Sequence, residues 1–128
     1  MNEYKPTVFV CDDDADNCEL IKFAFGLEGY EVTSCGNLED CLSQARQKEF
    51  RAIILDNRFG QVSSLEVSRQ IRSFDPTVPI VFYSGEVRAS EIDKALATGA
   101  DAYLVKPNDF EKLTKTVIEL IERQKFET

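Results

Sequence analysis

Five short runs rich in β-branched and aromatic residues alternate with five longer segments in which apolar positions recur at helical spacing. That alternation predicts a parallel sheet with helical crossovers. Strands are expected at Thr7 to Cys11, Tyr30 to Ser34, Ala52 to Asp56, Pro79 to Ser84 and Ala102 to Val105. Helices are expected at about Asp16 to Glu28, Leu38 to Lys48, Ser64 to Phe74, Ala89 to Thr98 and Phe110 to Lys125. TVFVC, AIILD and IVFYS are apolar runs that end on a polar residue, the pattern of strands covered by helices on both faces. In the last helix Phe110, Leu113, Val117, Leu120 and Ile121 form one stripe, with Asp109 placed to cap its start. Gly99 is placed to stop the fourth helix. The chain shows no repeat, linker or low-complexity tract, so one domain over residues 1–128 without an output module is expected.

Composition narrows the chemistry. The sequence has 128 residues, a net charge of −8, 43% hydrophobic residues and no histidine. Without imidazole there is no Ser-His or Cys-His catalysis and no histidine metal site, which leaves carboxylates, Lys, Ser/Thr and Cys. The acidic balance argues against a nucleic-acid binder, whose affinity rests on Lys and Arg neutralising phosphates. Cys11, Cys18, Cys35 and Cys41 lack any Cys-x-x-Cys spacing, so reduced, mostly buried thiols are expected, with an oxidation-sensitive pair as the alternative. The first residues do not read as a signal peptide and no apolar run approaches a membrane span, which predicts a cytoplasmic protein without membrane insertion.

In an open parallel sheet, ligands bind beyond the carboxyl ends of the strands. The first strand ends in Asp12-Asp13-Asp14, the third in Asp56, the fourth in Ser84-Gly85-Glu86 and the fifth in Lys106-Pro107. Singly, each has an ordinary explanation: Asp14 or Asp16 as a helix N-cap, Ser84 as a strand-end hydroxyl, Lys106 as a solvated cation. Together, Asp12, Asp13 and Asp56 crowd one rim and need a cation to stay ionised. With oxygen donors only, the ion would be hard, Mg²⁺ or Mn²⁺, held together with phosphate.

With 43 residues from Asp13 to Asp56, 28 from Asp56 to Ser84 and 22 from Ser84 to Lys106, the chain resembles the receiver domains of two-component response regulators. The resemblance rests on VFVCDDD, AIILD, PIVFYSGE and GADAYLVKP in that order and covers nearly the whole chain. It implies a three-layer α/β (βα)5 flavodoxin-like fold with a five-stranded parallel sheet of order 2-1-3-4-5. It implies that Asp56 accepts a phosphoryl group from a histidine kinase or a His-containing phosphotransfer protein. Asp13 and Asp56 match direct metal ligands, Asp12 a ligand through water, and the Arg58 carbonyl the remaining protein ligand. Lys106 and Ser84 match the groups that contact the phosphoryl oxygens. Tyr103 matches the aromatic that turns inward once the Ser84 hydroxyl moves, changing the surface of the fourth helix, fifth strand and fifth helix for a downstream target. Lys106-Pro107 matches a peptide that is usually cis in this family. A stand-alone signalling domain, monomeric or weakly dimeric and not an enzyme, is the expectation, with slow self-dephosphorylation as its only turnover.

The chain departs from the pattern after Asp56. DNRFGQVSS carries Gly60 and Ser64 where the family usually has proline and glycine, which implies a loop of different shape. By the resemblance, Arg58 stands where access of hydrolytic water is controlled, and its guanidinium could reach Glu86, so an Arg58–Glu86 pair over the site would tune acyl-phosphate lifetime. Asn108 replaces the more usual aromatic after Lys-Pro. The alternatives are a receiver-like interaction module that is not regulated by phosphorylation and, more remotely, a haloacid-dehalogenase-like phosphatase. The second lacks the Gly-Thr and the later acidic motif that its chemistry requires. A flavodoxin shares the topology, but the acidic end of the first strand would repel the FMN phosphate.

Overall fold

A computed structural model describes residues 6–57 and 63–125. Five strands and five helices alternate: β1 Thr7–Cys11, α1 Ala15–Gly26, β2 Glu31–Cys35, α2 Leu38–Gln47, β3 Ala52–Leu55, α3 Ser64–Phe74, β4 Ile80–Ser84, α4 Ala89–Ala97, β5 Ala102–Val105 and α5 Phe110–Lys125. All pairings are parallel, in the order β2-β1-β3-β4-β5. This is the expected doubly wound, flavodoxin-like receiver fold.

The apolar strands are apolar throughout because each feeds two cores. Strand side chains alternate between faces, so Phe9, Cys11, Ile53, Leu55, Ile80 and Phe82 pack on one side with residues of α2, α3 and α4. Val8, Val10, Ala52, Ile54, Val81 and Tyr83 pack on the other against Ile21 and Phe25 of α1 and Leu113, Val117 and Ile121 of α5. The sheet is thereby covered on both faces, leaving its carboxyl-end rim open between the two helical layers.

Element ends move by a residue or two where local chemistry competes with periodicity. Asp14 caps α1 by accepting from the N–H groups of Asp16 and Asn17 at 3.0 and 3.2 Å, so the helix begins at Ala15. Gly29 takes a positive φ of 86°, and the Tyr30 N–H closes the turn onto the Phe25 carbonyl at 3.0 Å, which starts β2 one residue late. Asp109, expected to cap α5, turns its carboxylate back to the Val105 N–H at 2.8 Å and so ties α5 to the end of β5. Gly99 follows α4 at φ 103°, and a Cβ there would lie 3.1 Å from the Arg72 side chain. Glycine is therefore favoured by its left-handed backbone, and the Arg72 side chain would have to shift to admit a Cβ.

Cys11, Cys18 and Cys41 are buried and Cys35 is half-buried, all four as free thiols. Cys11 and Cys35 are register partners on β1 and β2. Burial, foremost, pushes the Cys35 thiol up to about 11. Alkylation of Cys35 is accordingly expected to run about a hundredfold slower at neutral pH than that of an unperturbed thiol and to accelerate as pH rises toward 11, as measured by iodoacetamide labelling and peptide mass. No helix among the described residues is long and apolar enough to cross a membrane.

Candidate functional site

The parallel ladder carries the ends of β1, β3, β4 and β5 to one rim. Asp12 continues the ladder one step beyond β1, donating its N–H to the Cys35 carbonyl at 3.0 Å, and Asp56 does the same beyond β3 toward the Cys11 carbonyl at 3.1 Å. Both carboxylates are buried, whereas Asp13 is exposed. One carboxylate oxygen from each of Asp12, Asp13 and Asp56 lies within 4.8 Å of the others.

Lys106, immediately after β5, reaches into this cluster. Its Nζ donates to Asp12 Oδ2 at 2.7 Å and to Asp56 Oδ2 at 3.1 Å, and sits 5.8 Å from the centre of the Tyr83 ring. Burial opposes the ammonium charge, but the hydrogen bond to Asp12 and the charges of Asp56 and Asp12 outweigh it, and the Lys106 pKa is raised. The lysine is therefore a permanent cation over two carboxylates. The Lys106-Pro107 peptide is cis, as expected.

Three carboxylates against one ammonium leave an unbalanced negative charge, and every side-chain donor in the cluster is oxygen. That donor set suits a hard divalent ion, which binds a few carboxylates and retains waters. The Cys18 thiol is directed at the Asp12 backbone carbonyl (3.5 Å), which leaves the carboxylates as the donors of the cluster. Because the Lys106 ammonium offsets one charge of the cluster and competes with a cation for Asp12 and Asp56, Lys106→Ala is expected to tighten Mg²⁺ binding about tenfold while weakening any phosphoryl contact. Isothermal titration with Mg²⁺ measures the first effect.

Ser84 is fully buried at the end of β4, where its Oγ accepts the Glu86 N–H at 3.2 Å. Tyr103, on β5, is half-buried and stacks on Phe82 with ring centres 5.8 Å apart. Its hydroxyl donates to the Glu86 carbonyl at 2.9 Å and accepts from Asn57 Nδ2 at 3.4 Å. Glu86 is buried, and its carboxylate accepts from Arg88 Nε at 3.0 Å and from the Val87 N–H at 3.0 Å. The hydrogen bond from Arg88 holds the Glu86 carboxyl down to about 2, so it stays ionised at neutral pH. Arg58 and Gly60, and with Arg58 the expected Arg58–Glu86 pair, lie outside the described residues; the described partner of the Glu86 carboxylate is Arg88.

Sequence reasoning missed three residues of the rim. Asn17 of α1 donates from Nδ2 to Asp12 Oδ2 at 2.8 Å and fixes that carboxylate. Its only signal was position, about one helical turn beyond Asp13. Ser64, read simply as a departure in the loop, donates from Oγ to the Asp56 carbonyl at 2.5 Å and anchors the start of α3 to the end of β3. Asn57 carried no signal, since the partner that defines it is 46 residues away.

A doubly wound parallel sheet with an acidic cluster and a lysine at its carboxyl-end rim defines a class of α/β domains whose functional groups gather beyond the strand ends. Comparison with known proteins makes the class specific: the family model described as "Response regulator receiver domain" matches residues 8–118. The chain belongs to that family, whose members are signalling domains. It is 30% identical over 121 residues to the transcriptional regulatory protein ZraR of Klebsiella oxytoca, a match covering 94% of this chain and 27% of that protein. It is 30% identical over 119 residues to the transcriptional regulatory protein PrrA of Mycobacterium bovis, covering 93% of this chain and 51% of PrrA. The chain thus spans about a quarter to a half of these curated relatives. Among solved structures, a CheY-like receiver domain protein from Methanospirillum hungatei superposes with a TM-score of 0.91 at 22% identity, covering 98% of this chain and all of that one. A two-component response regulator from Clostridium difficile does so with a TM-score of 0.86 at 25% identity, covering 93% of this chain and 98% of the other.

Proposed function

We propose that this domain accepts a phosphoryl group on Asp56 from the phosphohistidine of a sensor kinase or phosphotransfer protein and thereby switches its α4-β5-α5 surface for a target protein. The observation that carries the reading is the convergence of Asp12, Asp13 and Asp56 within 4.8 Å beneath the Lys106 ammonium. In the transfer, an Asp56 carboxylate oxygen forms the new bond to phosphorus as the bond from phosphorus to the donor imidazole nitrogen breaks. The imidazole leaves with the electron pair of that bond. Asp13 and Asp56, with Asp12 through water and the Arg58 carbonyl, would hold a divalent ion, which would supply charge neutralisation at the phosphoryl oxygens. Lys106 pairs with one of those oxygens, a role for which it already stands next to Asp56. Ser84 rotates its hydroxyl away from the Glu86 N–H to reach another, and Tyr103 reads that movement through Glu86. Arg58 and Glu86 tune how fast water removes the phosphoryl group.

The donor needs a face next to this rim, and α1 offers one. Leu20, Phe23 and Leu27 follow one another at helical spacing and are 57%, 68% and 73% exposed, on the side of α1 opposite Cys18, Ile21 and Phe25. An exposed apolar stripe of this kind suits packing against a donor helix. Phe23→Asp is expected to slow transfer from a phosphohistidine protein at least tenfold while leaving uptake from acetyl phosphate unchanged, as timed by phosphate-affinity electrophoresis.

The test of the proposal is incubation with acetyl phosphate and Mg²⁺. An acid-labile mass gain of one phosphoryl group that maps to Asp56 and is blocked by EDTA is expected. No such gain would identify a receiver-like interaction module outside phosphorylation control.

A further inference from the structure

Around the rim, one set of contacts is not accounted for by the path from Ser84 to Tyr103. The Tyr103 hydroxyl has one proton to give and gives it to the Glu86 carbonyl, and it accepts from the Asn57 side-chain amide. The two partners report on different events. Glu86 is tied through its N–H to Ser84, so its carbonyl registers rotation of the Ser84 hydroxyl. Asn57 is covalently joined to Asp56, whose backbone is held on both sides: its N–H by the Cys11 carbonyl and its carbonyl by the Ser64 hydroxyl. Anything that moves the Asp56–Asn57 peptide therefore moves the amide that Tyr103 accepts from.

We propose that Asn57 is a positioning residue forming a second, direct route from the phosphoacceptor to Tyr103, in parallel with the route through Ser84 and Glu86. This rests on the reading of Asp56 as phosphoacceptor and Tyr103 as switch, and adds to it that the tyrosine hydroxyl is held jointly by the two loops. The inward position of the ring then depends on both loops at once. Losing either partner leaves the hydroxyl with half of its hydrogen bonds, and a single neutral hydrogen bond shifts such an equilibrium by about threefold to fivefold.

The experiment uses the full chain labelled uniformly with ¹⁵N and with ¹³C-tyrosine, compared by NMR without and with beryllofluoride and Mg²⁺, for wild type, Asn57→Ala, Asn57→Gln, Tyr103→Phe and the Asn57→Ala/Tyr103→Phe double variant. Asn57→Ala is expected to shift the inward-to-outward ratio of Tyr103 by about threefold to fivefold toward outward and to shrink the change in that ratio produced by beryllofluoride. Asn57→Gln, which keeps the amide donor, restores at least half of that shift. The α4 amide signals that Asn57→Ala perturbs in wild type stay unmoved by the same substitution in the Tyr103→Phe background, as required if the effect passes through the hydroxyl. Tyr103 signals of Asn57→Ala that coincide with wild type, or α4 changes that persist without the hydroxyl, would overturn the inference while leaving Asp56 as the acceptor. Wild-type Tyr103 and α4 signals that ignore beryllofluoride, together with no mass gain at Asp56, would overturn the underlying function and this inference with it.

Discussion

Asp56→Asn is expected to abolish the acid-labile mass gain from acetyl phosphate while leaving the fold intact. Asparagine preserves the shape and the backbone hydrogen bonds to Cys11 and Ser64, but its amide does not attack phosphorus. The same change alters the electrostatics of the rim in a predictable direction. Asp12, Asp13 and Asp56 repel one another with one ammonium between them, so removing one charge leaves a single excess negative charge where there were two. In EDTA the variant is expected to be more stable than wild type by about 1 kcal/mol. In Mg²⁺ the order reverses, because wild type gains stability by mass action from the bound ion and the variant has lost a ligand. Thermal melts with EDTA and with Mg²⁺, beside intact-protein mass spectrometry, measure all three effects. A variant that still gains an acid-labile phosphoryl group would place the acceptor elsewhere.

Arg72→Ala is expected to cost about 2–4 kcal/mol of stability, lowering the melting temperature by roughly 10 °C without touching the rim. Arg72 is the last-turn basic residue of α3, with a side chain only 19% exposed. Its guanidinium donates to the Gly99 carbonyl from Nε at 3.1 Å and from Nη2 at 2.8 Å, to the Val78 carbonyl at 2.7 Å, to the Asp75 carbonyl at 3.2 Å and to Asp101 Oδ2 at 3.3 Å. Asp101 in turn accepts the Ile80 N–H at 2.9 Å, so one side chain joins the end of α3, the entry to β4 and the turn into β5. Truncation takes this donor from three carbonyls at once and leaves the Asp101 carboxylate holding the Ile80 N–H. Arg72→Lys is expected to recover less than half of the loss, since a point-charge ammonium does not span a fan of acceptors that a planar guanidinium does. Chemical denaturation of the two variants decides the matter, with acetyl-phosphate uptake at low temperature unchanged in both.

The fold was legible because its two governing patterns are local. Continuous apolar strands such as AIIL and IVFY announce a sheet covered on both faces, and the stripe in α5 announces a helix lying on it. The site was legible in part for the same reason: strand ends are readable, and in a parallel sheet all the carboxyl ends point one way. Asp12, Asp13, Asp56, Ser84 and Lys106 were identified from strand ends and spacing, and the structure brings the carboxylates and the lysine together. The contacts of Asn17, Asn57 and Ser64 were not legible, because a polar residue in a loop or on a helix acquires its role only from the partner it meets.

Glu86 shows the same division within one residue. The spacing from Ser84 marked it as belonging to the site, but the Arg88 guanidinium that meets its carboxylate at 3.0 Å is seen only in the folded chain. The bond from Ser68 to Thr98, 2.7 Å between buried hydroxyls on α3 and at the end of α4, had no sequence signal at all. By itself, the order of residues determined the number, kind and direction of the elements and which charges reach the rim, since periodicity and strand ends are properties of neighbours along the chain. Tertiary structure alone decided which polar groups pair across the rim, and so how Asp56 and Ser84 are both connected to Tyr103. Those pairs join residues up to 94 positions apart, as Lys106 and Asp12 do, and no local pattern encodes a distance that exists only after the sheet has closed around its two cores.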